Sequence, residues 1–134
     1  HYSLVMRGLS IFDEIVIGIG VNQIKKTLFD LDKRLDIINQ AFVNEPRVSV
    51  VAYNSLTVDF AKSVNAAYIL RGLRSVSDFE YEHTIANSNR VLSDIETIVL
   101  FTDTEYSFIS STVVRDLIAY EKDIKAFLPP NVKI

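Results

Sequence analysis

Four short runs rich in β-branched residues, at 15–20, 48–52, 66–70 and 97–101, recur along this 134-residue chain with helical patterns between them. Each is too short for a buried helix and almost continuously apolar, as a strand covered on both faces must be. Leu4, Val5, Leu9 and Phe12 predict a helix over 2–11. Leu31, Leu35, Ile38 and Phe42 mark a helix face with Asp30 as N-cap. Asn54 or Ser55 would cap a short helix carrying Leu56, Phe60 and Val64. A longer helix is expected over 76–91, opened by a Ser77-x-x-Glu80 capping box and showing Tyr81, Ile85, Ser88 and Leu92 on one side. Ser110 or Ser111 opens a last helix that reaches Ala119.

Alternation of this kind specifies an α/β fold. Parallel neighbours cannot be joined by a tight turn, so each helix becomes a crossover between strands. The expectation is a doubly wound, Rossmann-like parallel sheet with helices on both faces, built as a single domain over 1–134. A strand ahead of the first helix would complete the first βα unit, and it is missing from this sequence. The chain is accordingly taken as an internal portion of a slightly longer domain, truncated at both ends.

Composition removes several function classes. There is no cysteine, so disulfides and thiolate chemistry are out, and a cytoplasmic setting follows more easily. A net charge of −3 argues against broad attraction to nucleic acid or to an anionic membrane. No apolar run reaches the roughly 18 residues that span a bilayer, and no basic-then-apolar signal opens the chain.

The chemistry concentrates at two strand-to-helix junctions, where open α/β sheets bind their ligands. At the first, an apolar run stops at Arg71-Gly72-Leu73-Arg74, and the acidic helix start Asp78-Phe79-Glu80-Tyr81-Glu82 follows. Two arginines beside a glycine suit a polyphosphate better than they suit packing. At the second, Tyr106-Ser107-Phe108-Ile109-Ser110-Ser111-Thr112 puts hydroxyls where a helix begins and presents unpaired N–H groups. Two such junctions in one small domain point to a nucleotide enzyme.

These blocks, with His1 opening a helix, Lys25-Lys26 after the first strand and the closing Phe127-Leu128-Pro129-Pro130-Asn131-Val132, resemble the phosphopantetheine adenylyltransferase family. That family belongs to the nucleotidyltransferases with a Thr/His-x-Gly-His signature. The likeness runs in order across essentially the whole chain. Related cytidylyltransferases share the signature histidine but are not expected to carry both junction blocks. The Gly-Thr-Phe-Asp-Pro segment and the start of the signature are absent from this sequence.

What the resemblance implies is transfer of AMP from ATP to 4′-phosphopantetheine, giving dephospho-coenzyme A and pyrophosphate. It implies Mg²⁺ carried by the ATP phosphates rather than by a protein metal site, a homohexamer, and coenzyme A as a feedback ligand. His1 matches the signature histidine that contacts the α-phosphate. Lys25 matches the lysine that clamps the substrate phosphates, while Lys26 reads as a solvated neighbour. Arg71 falls on the phosphopantetheine side, with Leu56 and Thr57 forming the wall for the pantetheine arm. Gly72, Leu73, Arg74 and the residues Tyr106, Ser107, Phe108, Ile109, Ser110, Ser111 and Thr112 fall on the ATP side. Glu82 is open between a nucleotide contact and a first-turn carboxylate favoured by the helix dipole. His83 reads as structural or interfacial. A non-catalytic nucleotide- or coenzyme-A-binding module of the same fold is the alternative function.

Overall fold

In the computed structural model, residues 1–21, 27–106 and 108–134 are described. Helix α1 spans Tyr2–Gly8, strand β1 Ile15–Gly20, α2 Leu31–Ala41, β2 Val48–Tyr53, and α3 Thr57–Ser63. Strand β3 spans Tyr68–Leu73, α4 Val76–Ser93, β4 Glu96–Phe101, and α5 Ser111–Ala119. Short 3-10 turns lie at Thr104–Tyr106 and Lys125–Phe127. The alternation expected from the sequence is therefore present as parallel strands joined by helices.

The strands form two parallel pairs, β1 with β2 and β3 with β4. In register, Ile15 faces Val48 and Gly20 faces Tyr53; Tyr68 faces Glu96 and Leu73 faces Phe101. Among the described residues no strand pairing joins β1 to β3. Helix α1 connects the two pairs instead. A Cβ on Gly8 would lie 2.8 Å from Leu70 of β3 and 2.9 Å from Ile15 of β1, so the helix backbone sits almost against both strands.

Helices cover both faces. On one, Val5 of α1, Ala41 and Phe42 at the end of α2, and Val132 form a buried cluster against Ile15, Ile17 and Val48. The Tyr2 and Phe42 rings stack there at 5.2 Å. Strand side chains alternate, so Gly18 faces the other way, where the stacked rings of Tyr53 and Phe60 lie 4.3 Å apart. A Cβ on Gly18 would come 2.6 Å from Phe60, and the missing side chain is what admits α3 this close. In β3, Leu70 and Gly72 face α1, which turns Arg71 toward α4.

Several boundaries move for identifiable reasons. Strand β3 runs on through Arg71 and Gly72 to Leu73, where an apolar count ends it at Leu70. Backbone pairing continues opposite Val99, Leu100 and Phe101, indifferent to the charge on an outward-facing side chain. Helix α4 is capped by Ser75, not by a Ser77–Glu80 box: the Ser75 hydroxyl accepts from Asp78 N at 3.2 Å, and Ser77 lies inside the first turn. Neither Asn54 nor Ser55 caps α3, whose N-cap is Leu56 with no side-chain bond. Helix α1 stops at Gly8, because the amides of Ile11 and Phe12 both turn back onto the Gly8 carbonyl. Asp30 caps α2 as expected, accepting from Lys33 N at 2.8 Å, and of the two serines it is Ser110 that caps α5.

Candidate active site

Because β3 and β4 are parallel, the segments that leave them begin on the same edge of the sheet. Arg74 leaves β3, and its amide and Nε both donate to Asp78 Oδ2, at 3.1 and 3.3 Å. That carboxylate is held below its ordinary pKa, first by the Arg74 amide and then by the Arg74 guanidinium. Segment 102–112 leaves β4 on the same edge.

Helix α1 is pinned to this edge. Arg7 Nη1 donates to Phe101 O at 2.7 Å and to Asp103 Oδ1 at 2.9 Å, and Ser3 Oγ donates to the other Asp103 oxygen. His1, the N-cap of α1, lies at this end of the helix, near enough to Arg74 for an electrostatic interaction. Sequence reasoning had grouped His1 with Arg74 but missed Asp103, a single acid in a loop whose two partners lie about a hundred residues upstream.

On the opposite side of β3, Arg71 is engaged by Glu82 through two bonds. Nε donates to Oε2 at 2.8 Å and Nη2 to Oε1 at 2.5 Å. The Glu82 side chain is 11% exposed and that of Arg71 47%. The arginine pKa is raised, chiefly by the Glu82 hydrogen bonds, with Tyr53 and Tyr81 adding smaller electrostatic contributions. Glu82 lies in the second turn of α4, so the first-turn helix-dipole reading of this residue is corrected; Asp78 is the acid in that turn. Tyr53, at the end of β2, shares a 3.1 Å hydrogen bond between its hydroxyl and that of Thr57. The start of α3, with exposed Leu56, thus approaches the arginine side of the edge.

Gly72 lies under Leu4 of α1, and a Cβ there would come 3.1 Å from that side chain. Leu73 is buried, with its carbonyl accepting from Thr102 N at 2.8 Å. Tyr106 ends the 3-10 turn and its carbonyl accepts from Ile109 N at 3.1 Å. Phe108 packs edge-on against Phe127 at 6.0 Å, which ties the turn to the closing segment. The Ser110 hydroxyl is occupied as the α5 cap, accepting from Val113 N at 3.3 Å, while Ser111 and Thr112 are exposed in the first turn. Their amides precede the first intrahelical bond and point outward from the helix start. Lys25, Lys26 and Ser107 lie outside the described residues. His83 stacks on Phe79 and bonds Asn87 along the α4 surface.

Among the described residues no three His, Asp or Glu side chains gather as a metal-binding group. Of the acids at this edge, Asp78 is engaged by Arg74, Asp103 by Ser3 and Arg7, Glu82 by Arg71, and Glu105 by the Tyr106 hydroxyl. The donors facing outward are cationic or N–H and O–H groups, a set that fits phosphate oxygens and offers little to a bare cation.

The chain has clear relatives among known proteins. The cytidylyltransferase-like family profile matches residues 1–117. A protein named phosphopantetheine adenylyltransferase from Phocaeicola vulgatus is 54% identical over 134 residues, covering 100% of this chain and 89% of that protein. Its namesake from Bacteroides fragilis is 51% identical with the same coverage. One from Moorella thermoacetica is 42% identical over 99% of this chain and 84% of its own length. On these matches, the chain belongs to the cytidylyltransferase-like family and, within it, to the phosphopantetheine adenylyltransferases.

Proposed function

We propose that the protein transfers the adenylyl group of ATP to 4′-phosphopantetheine, forming dephospho-coenzyme A and releasing pyrophosphate, a step of coenzyme A synthesis. The observation that carries this reading is the shared edge of β3 and β4. There Arg74 leaves β3 near His1 at the start of α1, and the segment that follows β4 leads to the start of α5, where Ser111 and Thr112 are exposed. Anionic phosphates are what such a collection of charges and N–H groups stabilises.

In this reading the acceptor phosphate attacks the α-phosphorus of ATP directly, one P–O bond forming as the bond to pyrophosphate breaks. No protein nucleophile is needed. The protein aligns two anions and offsets charge at the transferring phosphoryl group. His1 contacts the α-phosphate, and Lys25 and Arg71 hold the acceptor phosphate. Leu56 and Thr57 line the pantetheine arm. Gly72, Leu73, Arg74, Glu82 and residues 106–112 hold ATP. Mg²⁺ enters on the triphosphate oxygens, where it would neutralise charge. The working assembly is a cytoplasmic homohexamer, and coenzyme A feeds back on the same site. Exposed apolar residues on α4, among them Val76, Phe79, Tyr81, Val91 and Leu92, are compatible with burial between subunits. Among the described residues no helix is long and apolar enough to cross a membrane.

A pyrophosphate-release assay with ATP, Mg²⁺ and 4′-phosphopantetheine tests the reaction. Release that depends on both substrates is expected. Tight binding of both without turnover would make the protein a binding module instead. Light scattering on the purified protein tests the hexamer.

A further inference from the structure

The Arg71–Glu82 pair is side-on. Glu82 takes the Nε–H and one Nη2–H of the guanidinium. Arginine has five N–H donors in a rigid plane, so three remain: both on Nη1 and the second on Nη2. Among the described residues none of these three makes a hydrogen bond, and they form the end of a side chain that is 47% exposed. The carboxylate is the more buried partner and is set on a helix, whereas the arginine tip is the more mobile one by its length. Glu82 therefore fixes the plane of the guanidinium without covering its end.

We propose that Glu82 is a positioning residue, gripping the side edge of Arg71 so that the end-on N–H pair is aimed at the phosphate of the acceptor. This rests on the reaction proposed above and assigns Glu82 a role through Arg71. The physical logic is orientation. An exposed arginine samples many rotamers and must lose that freedom on binding; one already held by two charge-assisted bonds has lost it beforehand. An acceptor phosphate must also meet the α-phosphorus in line, and small errors of placement are costly. The carboxylate weakens the net charge that the phosphate meets, so it would be a poor neighbour if attraction alone mattered.

The test is a double-mutant cycle on the whole protein with Glu82→Gln, which keeps volume and loses one arm of the grip, and Arg71→Ala. Steady-state rates of pyrophosphate release give kcat and KM for each substrate, and thermal melting confirms that each variant is folded. Glu82→Gln should lower kcat/KM for 4′-phosphopantetheine by about tenfold, a loss larger than any rise in the KM of ATP that follows from its place on the nucleotide side. In the Arg71→Ala background the same change should have little further effect on kcat/KM for 4′-phosphopantetheine. Equal losses in both backgrounds, a rise confined to the KM of ATP, or tighter acceptor binding in Glu82→Gln would each overturn the positioning role. If the unaltered protein released no pyrophosphate at all, the proposed reaction itself would fall, a result distinct from all three.

Discussion

At the scale of single residues, the same side chain can be decisive or dispensable according to what stands within a few ångströms of it. Gly18 and Gly20 lie two apart in β1 and face the same way, yet a Cβ on Gly18 meets Phe60 at 2.6 Å while one on Gly20 meets nothing nearer than 3.6 Å. Phe60 cannot simply swing aside, because it is buried and stacked on Tyr53. Gly18→Ala should therefore destabilise the fold by about 1–3 kcal/mol in urea titration, whereas Gly20→Ala should be close to neutral. Equal midpoints for the two would contradict the close-approach argument. His1 gives a catalytic counterpart. If its imidazole acts on charge that develops during transfer, His1→Ala should lower kcat on the order of a hundredfold while ATP affinity by calorimetry stays put. Parallel losses in both would make it a ground-state contact.

At the scale of elements, charge and polarity marked the junctions in the sequence well, and hydrogen-bond geometry set their limits. Arg71 and Arg74 were visible because they interrupt an apolar run, but the run does not end the strand: β3 pairs on to Leu73. The cap of α4 was misplaced by two residues since Ser75 and Ser77 look alike in sequence. Only the reach from Ser75 Oγ to the Asp78 amide distinguishes them. Asp78 then closes the turn backward by accepting from the Arg74 amide, which holds its pKa below the ordinary carboxylate value. A depressed folded pKa contributes stability at neutral pH, where the group is ionised in both states. That contribution fades as pH falls below about 4 and vanishes beneath the folded value. Asp78→Asn should accordingly melt lower than the parent at pH 7, and the two should converge in acid. A gap in Tm that stayed constant down to pH 3 would mean the carboxylate's charge has no part in it.

At the scale of the whole molecule, helix α1 packs against both parallel strand pairs. Helix α1 contributes on three sides: Gly8 against Leu70 and Ile15, Val5 and Tyr2 against the end of α2, and Ser3 with Arg7 on Asp103. The first two contacts are apolar, and of their α1 members Val5 was legible as helix periodicity. The third was not, because its members are separated by 100 and 96 residues and none is unusual alone. Asp103→Ala removes the acceptor for both Ser3 and Arg7, leaving Arg7 only the Phe101 carbonyl. With the acid about a third exposed, a loss near 1 kcal/mol is expected rather than the full value of a buried pair. The larger consequence is local. Amide exchange within α1 should quicken in the variant while the β1–β2 ladder keeps its protection, since that pair shares no bond with Asp103. His1 leads the loosened helix, so kcat should drop by more than the small change in stability would suggest. Uniformly faster exchange across all elements would show instead that Asp103 supports the entire core, and that α1 and the sheet open only together.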